Sequence, residues 1–486
     1  MAFILLILIL SVIFKILDLD SYNDNQQSIQ VKTTTQPVPE NVNLKKCLEL
    51  IENGKNIFIT GGAGVGKSTL LKKIMKYKPE IELTSTTGIS AYNIGGETIH
   101  SFLGVGICNS PIQKVINGIK KNKTLYNKLI HCKILAIDEI SMLCYKHFEY
   151  MDFVLRSIRN SILPFGGIQV IIVGDFFQLP PVNDDFVFVK NNSLWQSFDF
   201  QPIILDKIWR QNNIEFIENL NKIRIGDIDN DLLQFFAPNI KENSSSYDDI
   251  THFYSHKNEV NKFNNQQLAK IPTQELIFYS EDYTATWDYN KNEFYIENKL
   301  ILSPLFDEDD ADGKNNFDDD KCAELTKNTL SRHKLILKEG CKVMITKNLT
   351  PEIVNGTIGV FKSAKDDNTL LIEVKGKEFE IKKEQFEIRR CREGNSLIRK
   401  QYPVLLAYAL TIHKSQGLTL ESAVIDITRA FTFGQVYVAM SRVVEKENLI
   451  ILNRFSKNSI MTSPEVIEFY NNLYERNTSV IQPYKV

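Results

Sequence analysis

Eight consecutive residues constrain this chain more than any others: Gly61-Gly62-Ala63-Gly64-Val65-Gly66-Lys67-Ser68, with Thr69 directly behind. They fit G-x4-G-K-S, and they lie between an apolar, strand-like run (56–60) and a helix-like segment (68–77). A strand that turns into a helix at such a sequence lines the turn with inward-facing backbone N–H groups, because glycine tolerates the φ angles required. The helix N-terminus adds a positive dipole end. This is a phosphate grip, and residues 61–69 are its expected lining. Lys67 should meet the β- and γ-phosphates of ATP, and Ser68 should ligate Mg²⁺ through its hydroxyl.

The strand before the grip opens a rhythm. Short β-rich runs at 81–84, 134–137 and 168–173 alternate with helix-like segments such as 148–162, and a second set follows at 423–427 and 448–452 around a helical 434–442. Alternation of this kind builds parallel sheets covered by helices, an α/β fold. Residues 334–390 differ. Short strands at 334–337, 342–346, 357–361, 370–374 and 379–381 crowd together, with turn signals at Asn355-Gly356 and Asp366-Asp367-Asn368. They read as a small β-barrel inserted into the second α/β unit.

Three further features belong to the phosphate grip. The apolar run 134–137 ends in Asp138-Glu139, with Asp138 placed to hold the metal or its water and Glu139 to polarise an attacking water. Gln178, in Gly174-Asp175-Phe176-Phe177-Gln178-Leu179-Pro180-Pro181, closes a third strand within reach of the γ-phosphate. Phosphoryl transfer also requires positive charge arriving on the loosening phosphate. Arg210 (Trp209-Arg210-Gln211) and Arg442 (Ala439-Met440-Ser441-Arg442) are the candidates, each with a surface salt bridge as the alternative.

The bulk composition sets limits. The formal charge of −2 over 486 residues gives no overall basic character, so a nucleic-acid partner would need a local basic groove. The seven cysteines are scattered without CxxC spacing, which argues against a zinc ribbon and suits reduced thiols inside a cell. Phe3 to Phe14 is apolar apart from Ser11, shorter than a spanning helix wants. Membrane contact through residues 3–17 competes with a packed terminal helix or a mistaken start, and 18–42 reads as a polar linker. The acidic run 307–320 fails the calcium-loop pattern at Glu308 and Asp319 and reads as a solvated loop.

Taken together, these motifs resemble the petite-integration-frequency helicases of superfamily 1B, relatives of RecD and Dda. The resemblance covers about 43–454. It rests on Pro164-Phe165-Gly166-Gly167-Ile168-Gln169 leading into 174–182, on Thr87-Gly88 with Thr98-Ile99-His100-Ser101-Phe102, on Ile412-His413-Lys414-Ser415-Gln416-Gly417, and on 434–442. It implies two RecA-like domains with an SH3-like insertion. Residues 43–212 would be the first domain, with a small wedge near 101–130. Residues 213–333 and 401–460 would be the second, 334–400 the insertion and 461–486 a tail. It implies an ATP-dependent motor, working as a monomer on single-stranded and forked DNA with 5′ to 3′ polarity. An RNA substrate is the alternative. Arg210 and Arg442 resemble two arginine fingers, and Gly417 a motif that closes on the γ-phosphate. Thr87, Thr98, His100, Ser101, His413, Lys414 and Ser415 resemble strand-contacting and coupling positions; His100 and His413 read equally as structural histidines, and Phe102 as core. One departure stands out. Family members usually carry an adenine-reading glutamine upstream of the grip, and Val42-Asn43-Leu44-Lys45-Lys46-Cys47 has none.

Overall fold

The computed structural model describes residues 42–475, apart from 107, 109, 182–184, 189–192, 243–244, 289–292, 303–316, 330, 348, 351, 354–355, 389–394 and 454. The apolar run within 3–17, the polar stretch up to 41, most of the acidic run and the end from 476 lie outside the described residues. Among the described residues, no helix is long and apolar enough to cross a membrane.

Six parallel strands form the first sheet: β1 (Ile57–Thr60), β2 (Ile81–Ser85), β3 (Glu97–Thr98), β4 (Ile134–Asp138), β5 (Gln169–Gly174) and β6 (Gln201–Ile204). Their order is β3-β2-β4-β5-β1-β6, with Ile57 opposite both Ile171 and Gln201. Pleating sends neighbouring side chains to opposite faces. Ile57, Ile59, Ile134, Ala136, Ile171 and Val173 enter one core with Leu70, Leu71 and Ile74 of the helix Lys67–Tyr77. Phe58, Leu135, Ile137, Val170 and Ile172 enter another with Phe148 and Phe165. Both faces are dry, which is why these strands read as unbroken apolar runs. Gly61, Glu139 and Asp175 each follow directly on the C-terminal ends of β1, β4 and β5, so one edge of the sheet collects them.

A second parallel sheet runs in the order Ala409–Thr411, His252–Tyr254, Ala423–Asp426, Leu449–Leu452, Ile240–Lys241. Its core joins Phe253, Ile425 and Ile451 to Val438 and to Leu220 and Ile223 of the helix Ile214–Ile225. Strands of two or three residues, such as His252–Tyr254, are too short to show a period in sequence.

The crowded strands pair as an antiparallel sheet of five, in the order Lys377–Lys382, Thr369–Val374, Ile358–Asp366, Lys342–Ile345, Val404–Leu406. Lys334–Lys338 leaves this sheet and pairs instead with Glu275–Tyr279. A further sheet joins Glu281–Asp288 to Glu293–Lys299 and Asn395–Gln401. The inserted β-region is therefore stitched to chain on both sides of it.

Three segments differ from the sequence reading. Asp318, Asp319 and Asp320 are not loop; they form the first turn of the helix Phe317–Asn328, where acidic side chains complement the dipole. The region expected as a wedge holds the helices Ile112–Lys121 and Lys123–His131, whose Val115, Ile119, Leu125 and Leu129 enter the first sheet's core. The segment read as a tail carries the helix Pro464–Glu475, and its Val466, Tyr470 and Tyr474 close that same core beside Phe58 and Phe176.

Candidate nucleotide cleft and strand-contacting surface

The grip at 61–66 depends on glycine for steric reasons. Gly61 has φ 143°, and a Cβ there would fall 2.2 Å from the Leu205 carbonyl oxygen; Gly64 has φ 78°, and a Cβ would meet that of Arg210 at 2.7 Å. Lys67 donates to the carbonyls of Gly61 (2.8 Å) and Gly62 (2.9 Å). Burial presses its pKa down, against the pull of Asp175, Glu139 and Asp138. Val65 packs into the core, and Thr69 is exposed.

Ser68 Oγ donates to Asp138 Oδ2 at 3.2 Å, while Asp138 Oδ1 accepts the Glu139 N–H at 2.9 Å. Two oxygen donors side by side fit a hard cation such as Mg²⁺, which keeps several waters and phosphate oxygens as its other ligands. Burial raises the Asp138 pKa, with the Glu139 N–H and Lys67 opposing. Glu139 sits at φ 54°, turned away from the strand direction. Burial, and then the Asp138 charge, push its pKa up to about 7, while Lys67, Arg442 and Gln416 pull it back. A carboxylate so poised suits general-base work near neutral pH.

The facing wall comes from the second sheet. Gln416 Nε2 donates to Glu139 Oε2 at 2.9 Å. The Tyr437 hydroxyl accepts the Ala63 N–H at 2.7 Å, inside the grip itself. A Cβ on Gly434 would lie 2.4 Å from the carbonyl oxygens of Phe177 and Gln178, so the helix Gln435–Met440 starts against the turn that follows β5. Gln178 is buried and follows Asp175 in a tight turn, its N–H on the Asp175 carbonyl at 2.9 Å.

Both candidate arginines converge here. Arg210 donates to Thr419 Oγ1 and to the Ser441 carbonyl, each at 3.0 Å, and Trp209 N–H bonds the Gly64 carbonyl at 2.9 Å. Arg442 is buried, donating to the Val438 carbonyl and to Ser441 Oγ, each at 2.8 Å. Burial and the neighbouring Arg210 bring its pKa down to about 9, with Glu139 pulling the other way.

A third arginine, Arg224, carried no motif and was missed. Its guanidinium makes a bidentate pair with Asp175 (3.0 and 2.8 Å) and lies 4.5 Å from the Phe177 ring centroid. An isolated arginine in a helix gives no sequence signal, whereas Gln416 and Tyr437 lay within recognisable stretches and could have been singled out.

The strand-contact candidates divide. Thr98 caps the helix Ile99–Leu103: its hydroxyl oxygen accepts the Ser101 N–H at 3.3 Å, and Thr98 Oγ1 donates to Ser101 Oγ at 2.9 Å. Thr87 Oγ1 accepts the Ser90 N–H. His100 is paired with His147 at 3.2 Å, and burial followed by His147 brings its pKa to about 4. Phe102 is core. Ser415 is buried and donates to the Ile412 carbonyl, serving its own turn, and the Lys414 N–H bonds Thr411 Oγ1. Gly417 is exposed at φ 83°. His413 is different, because its ring lies nearly parallel to Phe431, 6.3 Å away, and His256 stacks on Phe431 from 5.1 Å. Phe431 remains 56% exposed, an aromatic surface no motif had marked.

Residues 41–234 match the family described as PIF1-like helicase, and 323–362 match the 2B domain of DNA helicase Pif1. The ATP-dependent DNA helicase Pif1 of Bdellovibrio bacteriovorus is 32% identical across 87% of this chain and 90% of its own length. The ATP-dependent DNA helicase PIF1 of Emericella nidulans is 30% identical across 87% of this chain, which spans 62% of that relative's length. A crystal structure of Bacteroides sp Pif1 in complex with ADP-AlF4 shares the fold, with a TM-score of 0.70 and 26% identity over 90% of this chain and 97% of its own. With the phosphate grip, the paired carboxylates and the two converging arginines in the expected order, the chain belongs to the PIF1-like helicase family.

Proposed function

We propose that this chain is an ATP-dependent DNA helicase that moves 5′ to 3′ along single-stranded DNA and opens duplex at a fork. The observation that carries the reading is the seam between the sheets. Glu139 of the hydrolytic wall is bonded by Gln416 of the other, and Arg210 and Arg442 reach the same place. The relatives' names supply ATP and DNA, and the Bacteroides protein of the same fold is known in complex with ADP-AlF4. The polarity follows from the family.

Lys67 and residues 61–69 hold the phosphates, with Ser68 and Asp138 holding Mg²⁺, which when bound neutralises charge on the phosphate oxygens. Glu139 draws a proton from the attacking water, and Gln178 orients that water or the γ-phosphate. Arg210 and Arg442 supply positive charge as the phosphoryl group loosens. ATP touches both walls only when the seam is shut, so binding favours closure and release favours opening. Thr87, Thr98, His100, Ser101, His413, Lys414 and Ser415 lie on the segments that carry this movement to the strand. Phe431, flanked by His256 and His413, offers a base a stacking surface. The domains divide near 43–212, 213–333 with 401–460, and 334–400; the last is an SH3-like module beside the strand, although its sheet also takes in Val404–Leu406 and its first strand pairs outside it. One chain furnishes both walls, so a monomer suffices, acting on DNA within the cell.

The test is unwinding of 5′-tailed, 3′-tailed and RNA duplexes with ATP. Unwinding of the 5′-tailed DNA alone is expected. Lys67→Ala should abolish DNA-stimulated ATPase while leaving strand binding intact; retained turnover in that variant sinks the assignment.

A further inference from the structure

Away from the seam, two groups of side chains bring three metal-ligand types together. In the first, Asp282, Cys322 and His333, the cation is already supplied by protein. Arg399 donates to both Asp282 oxygens (2.9 and 2.7 Å) and to the Cys322 sulfur at 2.9 Å. The second is His100, Cys108 and His147. One ring nitrogen of each histidine and the Cys108 sulfur all lie within 4.8 Å of one another.

The two nitrogens of this second group are spaced as they would be in a coordination sphere. His100 Nε2 and His147 Nδ1 are 3.2 Å apart, with the rings nearly perpendicular at 85°. Zinc bound tetrahedrally at the usual lengths sets two nitrogens about 3.3 Å apart and nitrogen and sulfur about 3.6 Å apart. A hydrogen bond between two neutral imidazoles explains the nitrogen pair alone. The Cys108 sulfur adds a third ligand type beside that pair. Cys108 sits at φ 57°, a left-handed conformation that a cysteine seldom adopts. All three residues are half-buried, which leaves an ion a way in.

We propose that His100, Cys108 and His147 form a zinc site, separate from the Mg²⁺ ligands of the nucleotide seam. The donors are two imidazoles and a thiolate, a borderline-soft set that selects zinc over magnesium or calcium. Three protein ligands leave a fourth position for water. The ligands come from the helix Ile99–Leu103, from the loop before Ile112–Lys121 and from the helix Tyr145–Arg159. The ion would staple that loop to the long helix beneath it.

Tag-free full-length protein, stripped with a chelator, is titrated with Co²⁺ and then Zn²⁺. About one equivalent of Co²⁺ is expected to produce a thiolate-to-cobalt charge-transfer band that Zn²⁺ then bleaches. The band should be lost in Cys108→Ser and in His147→Gln. Zn²⁺ should raise the melting temperature of the wild-type chain and not of those variants, whose metal-free melting should match wild type. Absence of the thiolate band from folded wild-type protein, or equal binding by Cys108→Ser, overturns the site. These readouts are independent of ATP hydrolysis, so they stand or fall separately from the helicase reading.

Discussion

Two buried arginines in one cleft are held in opposite ways. Arg224 has a full counter-charge: its Nε and Nη2 both donate to Asp175, and two aromatic rings flank it. Burial works against its charge, but Asp175 outweighs that and raises its pKa well above the ordinary arginine value. Asp175 is held correspondingly low: burial would raise its pKa, and Arg224 more than reverses this. Arg442 is just as buried but rests on a carbonyl and a hydroxyl, beside a second arginine, and its pKa falls to about 9. A buried charge without a full counter-charge is costly in the resting protein. Arg224 is a strut joining the two sheets, and in the proposed function Arg442 is charge kept ready for an anion. An ATP γ-phosphate would do for Arg442 what Asp175 does for Arg224.

The largest expected effect tests that contrast directly. Arg442→Ala should lower the ATPase kcat by about 10³-fold or more while leaving the thermal midpoint close to wild type. Arg442→Lys should rescue little, because a point charge lacks the guanidinium fork. ATPase within tenfold of wild type would remove Arg442 from the reaction and leave its burial unexplained. The reciprocal change is Arg224→Met. It strands Asp175 as an unpaired buried carboxylate, and unfolding should cost about 3–5 kcal/mol less. Chemical denaturation reads this. If Arg224→Met is no less stable than Arg442→Ala, the two arginines are not distinct in kind.

This contrast also marks the limit of what the sequence disclosed. Lys67, Ser68, Asp138 and Glu139 were legible because phosphate chemistry demands those residue types at fixed offsets from a strand end. β1, β4 and β5 were legible because they are dry on both faces and so run apolar without interruption, whereas the half-buried edge strands β3 and β6 gave no such run. Arg224 was hidden because its partner is 49 residues away in sequence and only folding pairs them. The helix Pro464–Glu475 looked like a tail because its apolar face has meaning only once the first sheet is there to receive it. The strands Glu275–Tyr279 and Lys334–Lys338 find each other across a gap in which no local turn dictates the pairing.

Glu139 offers a smaller, pH-dependent test. Its pKa of about 7 implies that ATPase activity falls as pH drops through that value, because the base becomes protonated. Glu139→Gln should bind ATP, turn over about 10²-fold more slowly, and lose this acid limb. The stability linkage has a definite sign. The folded pKa lies above the ordinary 4.5, so the fold favours the protonated form. That contribution is complete below about 4.5 and is lost as pH rises to about 7. The glutamine variant should show a flatter stability profile across this window. An unchanged acid limb in Glu139→Gln would assign the titration to another group.

The smallest expected effect concerns the other kind of poised surface, an apolar one. Phe431 is a large aromatic left mostly open while two imidazoles hold its ring in place. Prior ordering lowers the entropy lost when a base stacks on it. Phe431→Ala should weaken single-stranded DNA binding by about 1–3 kcal/mol, roughly fivefold to 150-fold, with little preference among sequences. Basal ATPase without DNA should be unaffected, since Phe431 contributes nothing to the phosphate grip. Phe431→Trp should retain binding, because a base needs a flat ring and not a particular one. Fluorescence anisotropy with a labelled oligonucleotide separates these outcomes. Equal affinity in the alanine variant would mean that the strand passes elsewhere on the second sheet and that the His256–Phe431–His413 stack serves packing alone.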